Sequence, residues 1–276
     1  MKAILIALCL LALPLHHAHA QFDQQHEAWD KLARKYVVLI DGGRASQVRY
    51  AALAQDRNAF GSYLASLSGV SEGEFNSWSK AQRMAFLINA YNAFTIEKIL
   101  TRYPDLKSIR DFGIVFGNPW KEKFFKLLGQ PCSLDQIEHE MLRARGAYEE
   151  ARVHYALNCA AVGCPMLRAE AYVADRLDAQ LEDQARRFLS DRTRNRYNER
   201  KNSLEVSKIF DWYKEDWMRG YSGIDTNRSP IDSREQYFAR YTRLLADSPQ
   251  GQKLIAEQAV RIDYLDYDWS LNDAKP

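Results

Sequence analysis

The segment from Ser79 to Thr101 constrains the fold more than any other part of this 276-residue chain. It is the longest stretch with a helical pattern, and Pro104 follows it closely, as is typical just beyond the end of a helix. Its apolar residues lie on nearly every side of the predicted helix instead of along one stripe. These residues are Phe86, Leu87, Ile88, Ala90, Tyr91, Phe94, Ile96 and Ile99. Because such a helix has to be surrounded by protein, the sequence predicts a buried central helix.

The rest of the chain is predicted to be mostly helical with a little strand. Two capping patterns, Ser71-x-x-Glu74 and Ser133-x-x-Gln136, are typical of helix N-termini, and the second opens a helix that runs to about Arg145. The polar, arginine-rich stretch 191–202 is typical of a solvated loop or hairpin, and a binding site for an anion is the alternative. Further helices are predicted over 27–38, 58–67, 175–189 and 206–218, a strand over 152–158, and a final strand or extended segment over 261–268. We therefore expect an α+β fold, a predominantly helical single domain with a small β-sheet under the segment 154–159.

The N-terminus has the pattern of a secretory signal. Lys2 precedes an apolar run from Ala3 to Leu15, which ends at Ala18-His19-Ala20. The run is too short to span a bilayer, and no later segment is apolar enough to do so. We expect cleavage near Ala20, a globular domain over 21–276, and a periplasmic or secreted location. Loss of Lys2 changes the formal charge from +2 to +1, which gives no electrostatic case for nucleic acid.

Histidines and cysteines cluster between His139 and Cys164, and four interpretations of this cluster remain open. Cys159 is a nucleophile activated by His154, because a thiol attacks as the thiolate and needs a base nearby. Alternatively, Cys159 and Cys164 form a structural or reversible disulfide, which export favours. A weaker alternative is a zinc site formed by four side chains of suitable type, His139, His154, Cys159 and Cys164. In the fourth interpretation these side chains simply pack in the core.

Chain geometry restricts the nucleophile interpretation. In a regular strand, residues five apart point to opposite faces. A contact between His154 and Cys159 therefore requires a bulge or turn after Leu157.

Glu138 is predicted to lie within the apolar stripe of the helix that follows Ser133, with His139 on its flank. A carboxylate that faces a core needs a partner. Either it orients a histidine, as the third member of a catalytic triad does, or it pairs with an arginine such as Arg143 or Arg152.

Asn89 and Asn92 lie three residues apart on the buried helix and therefore share one face. Buried amides must be hydrogen-bonded. These two either order a loop or donate to a substrate oxygen.

Several separated motifs resemble the domain-of-unknown-function family 547, over about Trp29 to Asn272. The motifs are Ile88-Asn-Ala-Tyr-Asn92, Ser133-Leu-Asp-Gln-Ile-Glu-His139, His154-x-Ala-Leu-x-Cys159, Cys164-Pro165, Leu177-Asp-x-Gln-Leu181, Ser207-Lys-Ile-Phe-Asp-Trp-Tyr213 and Tyr267-Asp-Trp-Ser-Leu-Asn272. The resemblance implies an exported bacterial member of a family that also occurs in larger plant and animal proteins. Some of those carry a glutaredoxin-like domain, an association that suggests thiol chemistry. The positions that match family motifs are Asn89, Asn92, Glu138, His139, His154, Cys159 and Cys164, whereas Cys132 lies outside them.

The leading hypothesis is a cysteine-dependent hydrolase or acyltransferase that acts on an amide or thioester of a small molecule or peptide. Cys159 is its nucleophile, His154 its base, and Glu138 or His139 the orienting group. Cys164 resolves or tunes the thiol, and Asn89 or Asn92 supports an oxyanion. Papain-like and transglutaminase-like enzymes place cysteine before histidine, whereas no histidine follows Cys159 here. The rival hypothesis is a non-enzymatic binding or scaffold protein with a Cys159–Cys164 disulfide, or a zinc or redox thiol site. No cofactor is predicted, and the sequence does not set the oligomeric state.

Overall fold

The computed structural model describes residues 21–113, 117–217 and 233–275. The predicted signal peptide and Met218, the end of one predicted helix, lie outside the described residues. The α-helices are α1 (Glu27–Tyr36), α2 (Tyr50–Gln55), α3 (Arg57–Gly69), α4 (Glu72–Ser77), α5 (Lys80–Leu100), α6 (Val153–Ala156), α7 (Leu177–Leu189), α8 (Ile209–Trp212), α9 (Lys214–Trp217), α10 (Arg234–Ala239), α11 (Thr242–Leu245) and α12 (Pro249–Ala256). Gln136–Leu142 forms a π-helix, and Asp41–Gly43, Ile109–Phe112 and Ala174–Arg176 form 3₁₀ turns. The fold is α+β and predominantly helical, as predicted.

The strands form three small sheets. They are β1 (Val37–Ile40), β2 (Ala45–Val48), β3 (Phe125–Leu127), β4 (Gln130–Cys132), β5 (Arg196–Asn198), β6 (Ser203–Val206) and β7 (Arg261–Tyr264). The pairs β1–β2, β3–β4 and β5–β6 are antiparallel, and β7 adds to β6 in parallel. The arginine-rich stretch thus forms a hairpin, one of the two forms predicted.

The central helix α5 is buried on all sides, as its sequence predicts. Its first turn is fixed by a capping box, in which the Ser79 hydroxyl accepts from the Gln82 amide and the Gln82 side chain accepts from Ser79 N. The helix continues through Leu100, with an unbroken buried run from Met84 to Ile96. The elements around it therefore pack on every face.

Two hydrophobic cores meet at α7. Leu177 and Leu181 belong to the core around α5, whereas Ala185 and Phe188 belong to a second core built on α8–α11. The short helix α6 also lies at this junction, because Tyr155 packs in the second core and Ala156 in the first. The segment that follows α6 therefore emerges between the two cores.

The predicted strand over 152–158 is wrong. Val153–Ala156 forms one helical turn, and Leu157 is extended. Every residue of 151–158 is buried, so the segment has no solvent face to produce a strand or helix period. The expected sheet beneath it is also wrong, since the nearby strand pairing is an isolated bridge between Ala161 and Leu271.

Two predicted helices have a different form in the structure. The helix expected after Ser133 is a π-helix, whose wider turn alters which side chains share a face. The helix expected over 206–218 begins later, because Val206 ends β6, and it is split into α8 and α9 at Tyr213. Within the described residues, none of the helices combines the length and hydrophobicity needed to cross a bilayer.

Candidate functional site

Five of the predicted site residues line a single pocket of about 280 Å³. They are Glu138, His139, His154, Cys159 and Cys164. They reach it from the π-helix, from α6 and from the loop that follows α6. Other walls of the pocket come from α5, α8 and the C-terminal segment. The pocket therefore lies where the two cores meet.

A turn brings His154 and Cys159 to the same pocket. His154 lies on the single turn of α6, and the extended Leu157 then redirects the chain. Ala160, directly after Cys159, has a positive φ of 64°, which tightens the loop. The Asn158 side chain accepts from Ala160 N at 2.9 Å and supports this conformation. The change of direction after Leu157 that a shared site requires is therefore present.

Cys159 and Cys164 are joined by a disulfide, with their Cα atoms 6.4 Å apart. The backbone amide of Cys159 donates to Cys164 Sγ at 3.0 Å. The Tyr267 hydroxyl lies 3.0 Å from Cys164 Sγ and 3.3 Å from Cys159 Sγ, so it contacts both sulfur atoms. Cys159 is half-buried and Cys164 is buried. Cys132 is a buried free thiol on β4, and burial raises its pKa to about 11.

The imidazole of His154 is held by Asp216, a residue that sequence analysis did not single out. Asp216 Oδ2 lies 2.7 Å from His154 Nε2, and the Tyr213 ring stacks on the imidazole with centroids 4.0 Å apart. Burial lowers the pKa of His154, and the hydrogen bond and charge of Asp216 oppose that effect. The pair fixes the orientation of the ring.

Asp216 also binds Arg143, whose Nε lies 2.6 Å from Oδ2. Burial would raise the pKa of Asp216, but hydrogen bonds from His154 and Arg143 hold it well below its usual range. Asp216 is therefore ionised at neutral pH. It lies on α9 within a Lys-Glu-Asp sequence that resembles a solvated helix face, so the sequence carries no signal of its contact with His154.

Glu138 is buried and does not pair with either arginine that the sequence suggested. Arg143 binds Asp216, and Arg152 binds Glu150 at 2.7 Å. The hydroxyls of Tyr91 and Tyr213 interact with Glu138 instead. Burial, and then the Glu138 charge, raise the pKa of both phenols.

His139 is the most exposed of the predicted site residues in the pocket. Its Nδ1 contacts Arg143, and its Nε2 lies 3.7 Å from Asp135. Among the described residues, neither His139 nor Glu138 forms a hydrogen bond with the His154 ring. The carboxylate of Asp216 occupies the position next to His154 that was predicted for one of these two residues.

Asn89 and Asn92 face the backbone of other segments and do not line the pocket. Asn92 donates to Ala156 O at 2.9 Å and accepts from Asn158 N at 2.8 Å. Asn89 donates to Tyr172 O at 2.8 Å and accepts from Tyr172 N at 3.0 Å. Both amides order loops, and Asn92 fixes the segment between His154 and Cys159.

The C-terminal segment forms a wall of the pocket. Gly163 N donates to Asp268 O at 2.8 Å, and Val162 N donates to Ser270 O at 2.8 Å. A side chain at Gly163 would approach the Asp268 backbone to 3.0 Å, so a glycine is required for this contact. The segment carries Tyr267 to the two sulfur atoms.

Part of the pocket lining is aromatic. Trp212 contacts Tyr267 and Trp269, with ring centroids 4.9 Å and 5.6 Å apart, and Trp120 packs against Trp269 at 6.0 Å. Trp212 is 43 % exposed, which is unusual for so large an apolar side chain. Over residues 21–113, 117–217 and 233–275, no three His, Cys, Asp or Glu side chains are arranged to hold a metal ion.

A family model described as "Protein of unknown function, DUF547" matches residues 75–189. Over these residues the chain is similar to that family. The DUF547 match includes α5, the π-helix, α6 and the two bonded cysteines. Asp216, Trp212 and Tyr267 lie beyond it, as do the Ser207–Tyr213 and Tyr267–Asn272 motifs. Comparisons with curated proteins and with solved structures gave no match.

Proposed function

We propose that the pocket is the active site of a cysteine-dependent hydrolase or acyltransferase that acts on an amide or thioester. One observation carries the proposal: Cys159 and His154 line the same pocket, and Asp216 holds the His154 imidazole. In the reduced protein Cys159 is the nucleophile, His154 is the base, and Asp216 orients the imidazole. The N-terminal pattern that ends at Ala20 supports the further proposal that the enzyme is exported.

The chemistry follows from these roles. Cys159 Sγ attacks the carbonyl carbon while His154 accepts the thiol proton. The bond from carbon to the leaving nitrogen or sulfur then breaks, and the imidazolium gives its proton to the leaving group. Water, or an acceptor molecule in a transfer reaction, attacks the acyl-enzyme and gives a proton to His154. Release of the acyl product returns that proton to Cys159.

The disulfide has to be reduced before this chemistry begins. An external thiolate attacks the half-buried Cys159 Sγ, forms a mixed disulfide, and expels Cys164 as a thiolate. The Tyr267 hydroxyl and the Cys159 amide, both 3.0 Å from Cys164 Sγ, stabilise that charge. A second external thiol then displaces the first from Cys159, which leaves two protein thiols and one external disulfide.

A second candidate function is thiol–disulfide exchange with an external disulfide or dithiol. The two hydrogen bonds on Cys164 Sγ favour it, because they lower the energy of the thiolate that leaves when Cys159 is attacked. Here the reaction ends with the exchange of the disulfide, and no acyl-enzyme forms.

Thiol labelling tests the leading proposal. Purified protein is reduced with dithiothreitol, exposed briefly to iodoacetamide at about pH 7, and mapped by mass spectrometry. Cys159 should react faster than a model thiol such as glutathione, and His154→Gln should remove that advantage. Cys132 is the internal control and should stay unlabelled, since its pKa is about 11. A Cys159 no faster than glutathione in the folded, reduced protein contradicts the proposal.

The Cys164→Ser variant separates the two candidates. It cannot form the Cys159–Cys164 disulfide, so an acyl-transferring enzyme should hydrolyse a model aryl thioester without prior reduction. A protein whose function is disulfide exchange should lose its exchange activity and show no thioester turnover. Cys132→Ser is the matched control, because it removes a thiol outside the pocket.

A further inference from the structure

The Glu138 carboxylate has no part in the proposed acyl chemistry, although it lines the same pocket. It is 6 % exposed, and in the described part of the chain no lysine, arginine or histidine forms a salt bridge with it. Its contacts are with the neutral hydroxyls of Tyr91 and Tyr213. A buried carboxylate is costly unless a positive charge compensates it. The pocket therefore has a buried carboxyl group that forms no salt bridge with the described side chains.

The walls around this carboxylate are suited to a cation. Arginine side chains already lie over two rings of the pocket, Arg143 over Tyr213 at 4.7 Å and Arg110 over Trp269 at 5.2 Å. Trp120, Trp212 and Tyr267 have no such contact with the described residues. Aromatic faces attract cations most strongly where water is displaced.

A second carboxylate adds to the negative potential. Asp135 lines the pocket three residues before Glu138. Its Oδ1 lies 3.7 Å from Nε2 of His139. Arg143, a positive side chain that lies over the Tyr213 ring, is engaged by Asp216. At neutral pH the pocket thus favours positive over negative groups.

We propose that the pocket binds a positively charged amino group of its substrate, with Glu138 as the counter-charge and the aromatic residues around Trp212 as its walls. This inference rests on the proposed function and narrows it, because the amide or thioester then carries an amine close to the reacting carbonyl. Neutral acyl substrates of the same shape bind more weakly, since they leave Glu138 without a partner.

Binding to the oxidised protein tests the inference. Cys159 is bonded to Cys164 in that form, so thiol chemistry does not contribute and the result is independent of the labelling experiment. The probes are butylammonium and butanol, titrated at about pH 8, where the alkylamine is charged. Calorimetry and tryptophan fluorescence report binding. We expect butylammonium to bind about tenfold tighter than butanol, in line with one buried charge contact and one cation–π contact.

Two variants and one control complete the experiment. Glu138→Gln should abolish the preference for butylammonium, and Trp212→Ala should weaken butylammonium binding by about threefold or more. Because Trp212 is partly exposed, Trp212→Ala should fold. It therefore tests the inference even if Glu138→Gln does not fold. Glu140→Gln is the matched control, because it removes the same charge from an exposed position of the same π-helix. Equal affinity for butylammonium and butanol in the wild type, or an unchanged preference in both variants, overturns the inference.

Discussion

The carboxylate of Asp216 lies 2.7 Å from Nε2 of His154, although 62 residues separate them in the chain. Arg143 binds the same oxygen, and the hydrogen bonds from His154 and Arg143 together keep Asp216 ionised. The imidazole is therefore held in one orientation by a charge that persists over the whole neutral range of pH. This relationship gives the pocket its most specific chemical feature.

Asp216→Asn should lower thioester turnover by the reduced protein by about 100-fold or more, because the amide neither fixes the imidazole nor stabilises its charged form. Asp216 raises the pKa of His154, so the acidic limb of the pH–rate profile should also move to lower pH. Asp211→Asn on α8 is the control, since that carboxylate forms a surface ion pair with Lys208. Equal rates and equal profiles for the two variants would show that Asp216 has no role in turnover.

Tyr267→Phe should slow reduction of the disulfide by dithiothreitol about three- to tenfold. The hydroxyl donates to Cys164 Sγ at 3.0 Å, and its loss removes one hydrogen bond from the leaving thiolate. Thiol release is followed with a chromogenic disulfide after quenching. Tyr264→Phe, on β7 and close in the chain, is the control, and its disulfide should be reduced at the wild-type rate. If the disulfide of Tyr267→Phe is reduced as fast as that of Tyr264→Phe, the Tyr267 hydroxyl does not stabilise the leaving thiolate.

Asn92→Ala should decrease the free energy of unfolding by about 3 kcal/mol, as measured by urea denaturation. The change leaves Ala156 O and Asn158 N buried without the partners they have at 2.9 and 2.8 Å. Asn76→Ala, at an exposed position on α4, should cost far less. A loss below about 1 kcal/mol for Asn92→Ala would mean that another group replaces the amide.

The free energy of unfolding should decrease in mild acid because of His26. Burial lowers its folded-state pKa to about 4, against 6.5 for an unperturbed imidazole. Between these two pH values the unfolded chain binds a proton that the folded protein does not, so stability is lost as pH falls. The loss reaches about 3 kcal/mol at about pH 4. Urea titrations from pH 7 to pH 4 measure it.

His26→Asn is the variant that isolates this effect. Asparagine tolerates the left-handed backbone at this position, where φ is 50°, and does not titrate. Its stability should fall less steeply than that of the wild type over the same pH range. Parallel curves for the two proteins would assign the acid sensitivity to other groups.

The sequence predicts those parts of the fold that depend on local signals. The central helix is an example, because its capping residue Ser79 and its continuous apolar content are encoded within the segment itself. The helix α6 is a counter-example. Residues 151–158 are buried on all sides, which removes the alternation between core and solvent on which pattern recognition depends.

The site is predictable to the extent that its residues are close in sequence. His154, Cys159 and Cys164 lie within eleven positions of one another, and their proximity suggested a common site. Asp216 and Tyr267 reach that site only through the packing of α9 and of the C-terminal segment. Tertiary contacts of this kind leave no periodic trace, and residue types alone do not distinguish Asp216 from a surface carboxylate.

The backbone bonds from Gly163 to Asp268 and from Val162 to Ser270 have a consequence for biosynthesis. Residues 267–270 follow every other pocket residue in chain order, so a chain still being synthesised lacks one side of the cavity. The cysteines then emerge about a hundred residues before the tyrosine that touches them both. The complete pocket therefore forms only after synthesis has passed Tyr267. A chain truncated before Tyr267 lacks this part of the pocket.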